Sequence, residues 1–164
     1  MGKDAENELI AGEQELGRLD YEKAFKHFSN AIKLDPKEPR AYFGKAESSV
    51  GVPKVKPEEV AELYKKAIEL DPKNPMFLEA YANFCMEAGR FNEAEEFYNK
   101  VSELDSDNAP SYYTDFAIKY YTYAPQIMAE MLDDKGKEII ARKSLTYLLK
   151  AMNMDKEYAK KLLD

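Results

Sequence analysis

The sequence predicts an all-α fold made of antiparallel helix pairs repeated along the chain, and three observations carry that expectation. A short motif recurs: Leu34-Asp35-Pro36 returns as Leu70-Asp71-Pro72 and again as Leu104-Asp105-Ser106, at intervals of 36 and 34 residues. Self-similarity at such a period is the mark of a repeat architecture. An apolar trio precedes each copy: Ala24, Phe28, Ala31; then Val60, Tyr64, Ala67; then Ala94, Tyr98, Val101. Their spacing of four and then three puts each trio on one face of a helix. Upstream of every trio runs a second periodic segment with its own small residue, Gly12, Ala46 or Ala82.

The elements follow in order from these signals. In the first unit a helix around Gly12 reaches the turn Gly17-Arg18-Leu19-Asp20-Tyr21, and the second helix stops at Asp35-Pro36. Proline cannot continue the hydrogen-bond ladder and restricts the residue before it. In the second unit Gly51-Val52-Pro53 separates the helices, and Pro57 followed by Glu58-Glu59 opens the next one. A missing amide costs nothing in a first helical turn, where carboxylates also suit the helix dipole. In the third unit the turn is Gly89-Arg90-Phe91-Asn92. The last part departs from the pattern. Residues 109–121 read as a first helix, Ser144, Leu148 and Ala151 as the face of a second, and Met154-Asp155-Lys156 as its stop, in a unit 16 residues longer than a regular one. Its lengthened helices are expected to kink or break at Pro125 and to turn at Asp133-Asp134-Lys135-Gly136.

This pattern resembles the tetratricopeptide repeat, a unit of about 34 residues with a small residue in its first helix, Ala-aromatic-Ala in its second, and then Pro. The third unit matches at Leu78, Tyr81, Ala82, Gly89, Phe91, Ala94 and Tyr98, and the first at Gly12, Tyr21, Ala24, Phe28, Ala31 and Pro36. The second matches at Tyr42, Ala46, Tyr64, Ala67 and Pro72, with two extra residues around Val52-Pro53 and Val60 where Ala is usual. The resemblance implies a right-handed superhelical solenoid forming one domain over residues 1–164. Its parts are repeats at 5–38, 39–74 and 75–108, an enlarged fourth repeat at 109–156 and a capping helix at 157–164. A polar outer end is what a solenoid needs, and Lys156, Lys160 and Lys161 supply one.

The resemblance also implies a concave groove lined by the first helix of each pair. The positions that map to it are Leu9 and Glu13; Arg40, Phe43 and Glu47; Met76, Glu79, Asn83, Met86 and Glu87; and Tyr113, Tyr120 and Tyr121. This lining is acidic and apolar-aromatic, with Arg40 its only base. Some relatives hold the C-terminal carboxylate of a chaperone with a clamp of Lys, Asn and Arg. At the matching positions stand Leu9, Glu13, Gly44, Met76 and Ala80, none of them a clamp residue. A chaperone-tail adaptor is therefore not expected. Five of the twelve tyrosines fall between Tyr112 and Tyr123, where Tyr112, Phe116 and Tyr123 point to the core; the same ring cluster suits either an interface or an enlarged core.

Charge and chemistry narrow the function. The formal charge of −7 argues against a dedicated nucleic-acid binder. It is concentrated at Met76–Asp115, with nine acids and two bases, while Lys135–Lys161 carries eight bases and three acids. A single cysteine, Cys85, gives no disulfide framework and suits a reducing, cytoplasmic setting. It reads as a packing residue. His27, the single histidine, lacks an obvious catalytic partner in sequence and reads as a surface residue. Asp105-Ser106-Asp107-Asn108 lacks the glycine and glutamate of a calcium loop, Pro110 and Phe116 standing in their places. The glycines are scattered singly, so there is no phosphate loop. No stretch is long and apolar enough for a signal peptide or membrane span.

No enzyme activity, cofactor or metal is expected. The expected function is a protein–protein adaptor that binds a basic and apolar peptide or protein in its groove. The alternative is a self-assembling scaffold, joining the basic C-terminal end to the acidic third repeat. A monomer is expected, with a homo-oligomer left open.

Overall fold

A computed structural model describes residues 2–129 and 132–153, which form eight α-helices and one short 3-10 turn. In order they are α1 (Lys3–Gly17), α2 (Tyr21–Leu34), α3 (Pro39–Ser48), the 3-10 turn Ser49–Gly51, α4 (Pro57–Leu70), α5 (Pro75–Glu87), α6 (Phe91–Leu104), α7 (Ala109–Ile127) and α8 (Asp134–Ala151). Proline opens α3, α4 and α5 and stands second in α7, where its fixed φ fits and its missing amide is harmless. The helices α2, α4 and α6 are each 14 residues long and end just before Asp35, Asp71 and Asp105.

Each of those aspartates also closes the turn with its side chain. Asp35 Oδ1 accepts the Lys37 amide at 3.0 Å, Asp71 Oδ2 accepts Asn74 Nδ2 at 3.1 Å, and Asp105 Oδ2 accepts Asn108 Nδ2 at 2.9 Å. The third copy stops like the others although Ser106 replaces proline. The aspartate therefore suffices as the stop, as expected of a side chain that bonds the backbone and its turn neighbours. The residues suggestive of a calcium loop are the ones occupied here.

The chain divides into two compact units, Met1–Phe77 and Leu78–Asp164. In the first, α1 packs on α2, α2 on α3, and α3 on α4. Leu9, Ala24, Phe28, Ala31 and Ala41 form its buried cluster, with Leu16 and Ile32 at the margin. The Phe28 ring lies between two glycines. A Cβ added at Gly12 would come within 2.8 Å of it, and one at Gly44 within 2.3 Å. The α1–α2 turn reverses at Leu19, whose φ is 62°, whereas the corresponding turn after α5 uses Gly89 at 73°. Gly17 itself is the last residue of α1.

In the second unit the core is aromatic. Tyr81 meets Phe97 edge-on at 4.7 Å, Tyr98 meets Phe116 at 5.6 Å, and Phe116 meets Tyr147 at 4.3 Å. The last helix pair is lengthened as expected, with 19 residues in α7 and 18 in α8. Two local expectations are corrected and one is narrowed. Of the kink or break expected at Pro125, the break is absent, since the helix continues to Ile127; so close to the end, a missing amide costs few ladder bonds. Asp133 to Gly136 is not a turn but the start of α8, where Asp133 Oδ1 accepts the Gly136 amide at 2.7 Å as an N-cap. The buried face of α8 is Ile140, Ser144 and Tyr147, while Leu148 is 36% exposed. The expected capping helix at 157–164 lies outside the described residues.

Candidate functional site

In the first unit the expected lining residues of α3 share one face. Arg40 Nε bonds Glu38 Oε1 at 2.9 Å, and its other guanidinium nitrogens lie 3.8 Å from Glu6 and from Glu13. Three carboxylates thus surround one cation, and chiefly Glu38 holds its charge in place. One turn along, Phe43 stacks on Phe77 at 4.8 Å and meets Tyr64 edge-on at 6.1 Å. The Tyr64 hydroxyl donates to Glu47. This is an acidic surface against a wall of rings.

The second unit carries a comparable face. Asn83 Oδ1 on α5 accepts the Tyr98 hydroxyl and, at 2.6 Å, Lys119 Nζ. Lys119 also bonds Asp115 at 3.0 Å. Burial pushes the Tyr98 hydroxyl far above its ordinary pKa, and the charges of Asp115, Glu79 and Glu87 push it further. The charges of all three carboxylates thus act on the same hydroxyl. Lys119 is a second base on the lining, absent from the expected set; its i,i+4 spacing from Asp115 was the available signal. Among the described residues no cation pairs with Glu79 or Glu87.

Not every expected lining residue is at the surface. Leu9 and Met86 are fully buried and Tyr120 is 7% exposed, so these three are core. Leu9 belongs to the Phe28 cluster, and Tyr120 stacks on Phe116 at 5.5 Å and meets Phe91 at 5.3 Å. Glu13, Arg40, Met76, Glu87 and Tyr121 are exposed, and Phe43, Glu47, Glu79, Asn83 and Tyr113 are half-buried. Of the crowded rings, Tyr112 and Phe116 are buried as expected, while Tyr123 is half-buried.

The acidic stretch and the basic C-terminal part meet within one chain. Lys143 Nζ lies 2.6 Å from Glu95 Oε2, the Tyr147 hydroxyl donates to Glu95 Oε1 at 2.9 Å, and Asn99 Nδ2 donates to that hydroxyl at 2.9 Å. Tyr112 donates to Asp105 at 2.8 Å, and burial with that bond pushes its hydroxyl up to about 12.

His27 has a partner that sequence did not show. Its Nδ1 is 2.9 Å from Glu8 Oε2, which also accepts Asn30 Nδ2 at 3.2 Å. The His27 bond, above all, holds the Glu8 carboxyl below its ordinary pKa. A lowered carboxylate pKa adds stability that is present above the unfolded value, about pH 4.3, and is lost as pH falls through the folded value. The gap in urea midpoint between wild type and His27→Ala is therefore expected to shrink from pH 5.5 to pH 3. An equal gap at both pH values would refute the pairing. Cys85 is buried, as its reading as a packing residue expects. Among the described residues no helix is long and apolar enough to cross a membrane, and no three His, Cys, Asp or Glu side chains are placed to hold a metal.

Comparison with known proteins bears on this geometry. Residues 56–114 match the family described as tetratricopeptide repeat. No curated protein matches the sequence. Among solved structures, a crystal structure of MamA is similar with a TM-score of 0.72 at 15% identity, covering 96% of this chain and 81% of that one. The TPR2B domain of yeast Sti1, solved in complex with pHsp70, has a TM-score of 0.64 at 22% identity, covering 76% of this chain and 99% of that one. A pilF structure from Pseudomonas aeruginosa has a TM-score of 0.61 at 18% identity over 91% of this chain and 77% of that one. Such folds commonly mediate protein–protein interaction. Residues 56–114, from α4 into α7, thus match the tetratricopeptide-repeat family, and the recurring helix pairs of the chain share the fold of those solved structures.

Proposed function

We propose that the chain is a protein–protein adaptor whose first helices bind a peptide or protein segment bearing basic and apolar residues. The observation that supports this reading is the same on both units: carboxylates outnumber cations beside aromatic rings. Glu6, Glu13 and Glu38 surround Arg40 next to the Phe43–Phe77 stack, and the charges of Glu79, Glu87 and Asp115 all act on the Tyr98 hydroxyl, with Lys119 paired to Asp115 alone. Such a surface favours cationic partners through complementarity, and rings provide contact area at low entropy cost. The Sti1 neighbour's complex with pHsp70 does not transfer directly. No carboxylate-clamp residue stands at Leu9, Glu13, Gly44, Met76 or Ala80; Leu9 is buried, and the space beside Gly44 is filled by the Phe28 ring. Self-assembly through the third repeat and the C-terminal end is the weaker reading, because Glu95 and Lys143 already satisfy each other inside one chain.

The test is fluorescence anisotropy with a labelled peptide of alternating lysine and leucine. The triple variant Glu13→Gln, Glu79→Gln, Glu87→Gln is expected to bind it about tenfold more weakly, roughly 1.4 kcal/mol, with a flatter salt dependence. Glu47 is kept, since it holds the Tyr64 hydroxyl. Unchanged affinity and salt slope in a folded triple variant would overturn the reading.

A further inference from the structure

The acidic face of the second unit already holds one ammonium, and that ammonium belongs to the chain itself. Lys119 Nζ on α7 lies 2.6 Å from Asn83 Oδ1 on α5, 3.0 Å from Asp115 Oδ2 and 3.5 Å from the Tyr98 hydroxyl oxygen. An ammonium has three donors and no acceptor, so these three oxygens satisfy it. Asn83 Oδ1 in turn accepts twice, from the Tyr98 hydroxyl and from Lys119. The two closer bonds of Lys119 differ in kind. The one to Asp115 is local, a single turn back along α7, whereas the one to Asn83 joins two helices across 36 residues.

Charge is out of balance around Asn83. Residues 78–129 contain nine acids and three bases. Each base is engaged: Arg90 with Glu93, Lys100 with Glu96 and Lys119 with Asp115. Glu95 takes Lys143 from α8. Glu79 and Glu87 stand four residues before and after Asn83, and therefore on its face of α5. No cation among the described residues pairs with either. Their charges, with that of Asp115, act on the same Tyr98 hydroxyl that bonds Asn83. The Lys119 side chain is 32% exposed and that of Asp115 42%, so solvent and a partner both reach this arrangement.

We infer that Asn83 is the lysine-accepting point of the acidic surface, and that Lys119 occupies it in the free chain as a built-in competitor which a partner's lysine displaces. This rests on the adaptor reading and adds a threshold to it. On displacement Lys119 keeps its local bond to Asp115, while the incoming ammonium takes Asn83 Oδ1 with Glu79 and Glu87 one turn to either side. A competitor that fills the acceptor about nine-tenths of the time weakens apparent affinity about tenfold. A lone lysine is thereby refused, and one supported by neighbouring apolar contacts is admitted.

The experiment uses the full chain and the labelled lysine–leucine peptide in about 0.15 M salt, where exposed charges more than roughly 8 Å apart are largely screened. Lys119→Met, which keeps the stem and removes the ammonium, is expected to bind the peptide about tenfold more tightly than wild type. Lys100→Met removes the same charge from α6 and is expected to change affinity by less than about twofold. A second arm needs no partner. In ¹⁵N-labelled Lys119→Ala, n-propylammonium chloride replaces the missing part of the side chain, and the Asn83 side-chain amide is expected to shift saturably, with sodium chloride as control. In wild type the peptide itself is expected to move that amide, which carries the test if the Lys119 variants misfold. Equal affinity of folded Lys119→Met and wild type, an equal gain in Lys100→Met, or an Asn83 amide indifferent to propylammonium or to the peptide would overturn the inference. Affinity that falls in the triple Glu→Gln variant but ignores Lys119→Met would overturn it alone and leave the adaptor reading standing. Failure of both wild type and Lys119→Met to bind the peptide would overturn both.

Discussion

Phe28→Ala is expected to lower the stability of the first unit by about 3–5 kcal/mol, the usual cost of deleting a buried aromatic ring. The ring is 1% exposed, so nearly all of its apolar surface is returned to water or left facing a void. Two of the residues facing it, Gly12 and Gly44, have no side chain to move into the space. The converse substitution tests the same fit. In Gly44→Ala the added methyl would stand 2.3 Å from the ring edge, an overpacking cost of about 1–3 kcal/mol set against about 1 kcal/mol of improved helix propensity. Combining it with Phe28→Leu should recover part of the loss, since contacting residues are not additive. Urea denaturation followed by circular dichroism measures all four proteins. A Phe28→Ala protein within 1 kcal/mol of wild type would contradict the wedge.

Tyr147→Ala is expected to be about as costly, roughly 3–5 kcal/mol, but to act at the other end of the chain. Tyr147 is 3% exposed, sits 4.3 Å from the Phe116 ring, and joins Glu95 and Asn99 by its hydroxyl. Ring and hydroxyl both tie α8 to the rest of the second unit. Tyr147→Phe keeps the ring and is expected to cost about 1 kcal/mol, because it removes the hydroxyl's hydrogen bonds to the half-buried Glu95 and Asn99. Hydrogen exchange is the informative readout: amides of α8 should lose protection while those of α2 keep theirs, as expected of local opening. Uniform loss along the chain would show that α8 is not separately anchored.

What was legible in the sequence is what repeats. The trios Ala24, Phe28, Ala31 and Ala94, Tyr98, Val101 are buried as their spacing requires, because a helix face returns every three or four residues whatever lies beyond it. The same periodicity was ambiguous in α8. Ile140, Ser144, Tyr147 and Ser144, Leu148, Ala151 have identical spacing, and only the packing of Tyr147 on Phe116 decides between them. The lining was legible as composition and less so as exposure. Leu9 and Tyr120 lie on first helices as expected but on their buried faces, Leu9 with Ala5 and Gly12 and Tyr120 with Phe116 and Ala124. Contacts between distant residues left no local trace. Glu8 and His27 are 19 positions apart, and Lys119 reaches Asn83 across 36.

The tie between α6 and α8 has a kinetic consequence. Within each unit helices pack on their neighbours in the chain, α1 on α2, α2 on α3 and α3 on α4 in the first and α6 on α7 and α7 on α8 in the second, and such local contacts form quickly. The bonds from Glu95 and Asn99 to Lys143 and Tyr147 span 48 to 52 residues, the longest separations among the described hydrogen bonds. The entropy of closing that loop is compensated only when α7 is already in place. The α6–α8 bonds are therefore expected to form only after α7 has packed on both helices, and to be among the first lost on unravelling.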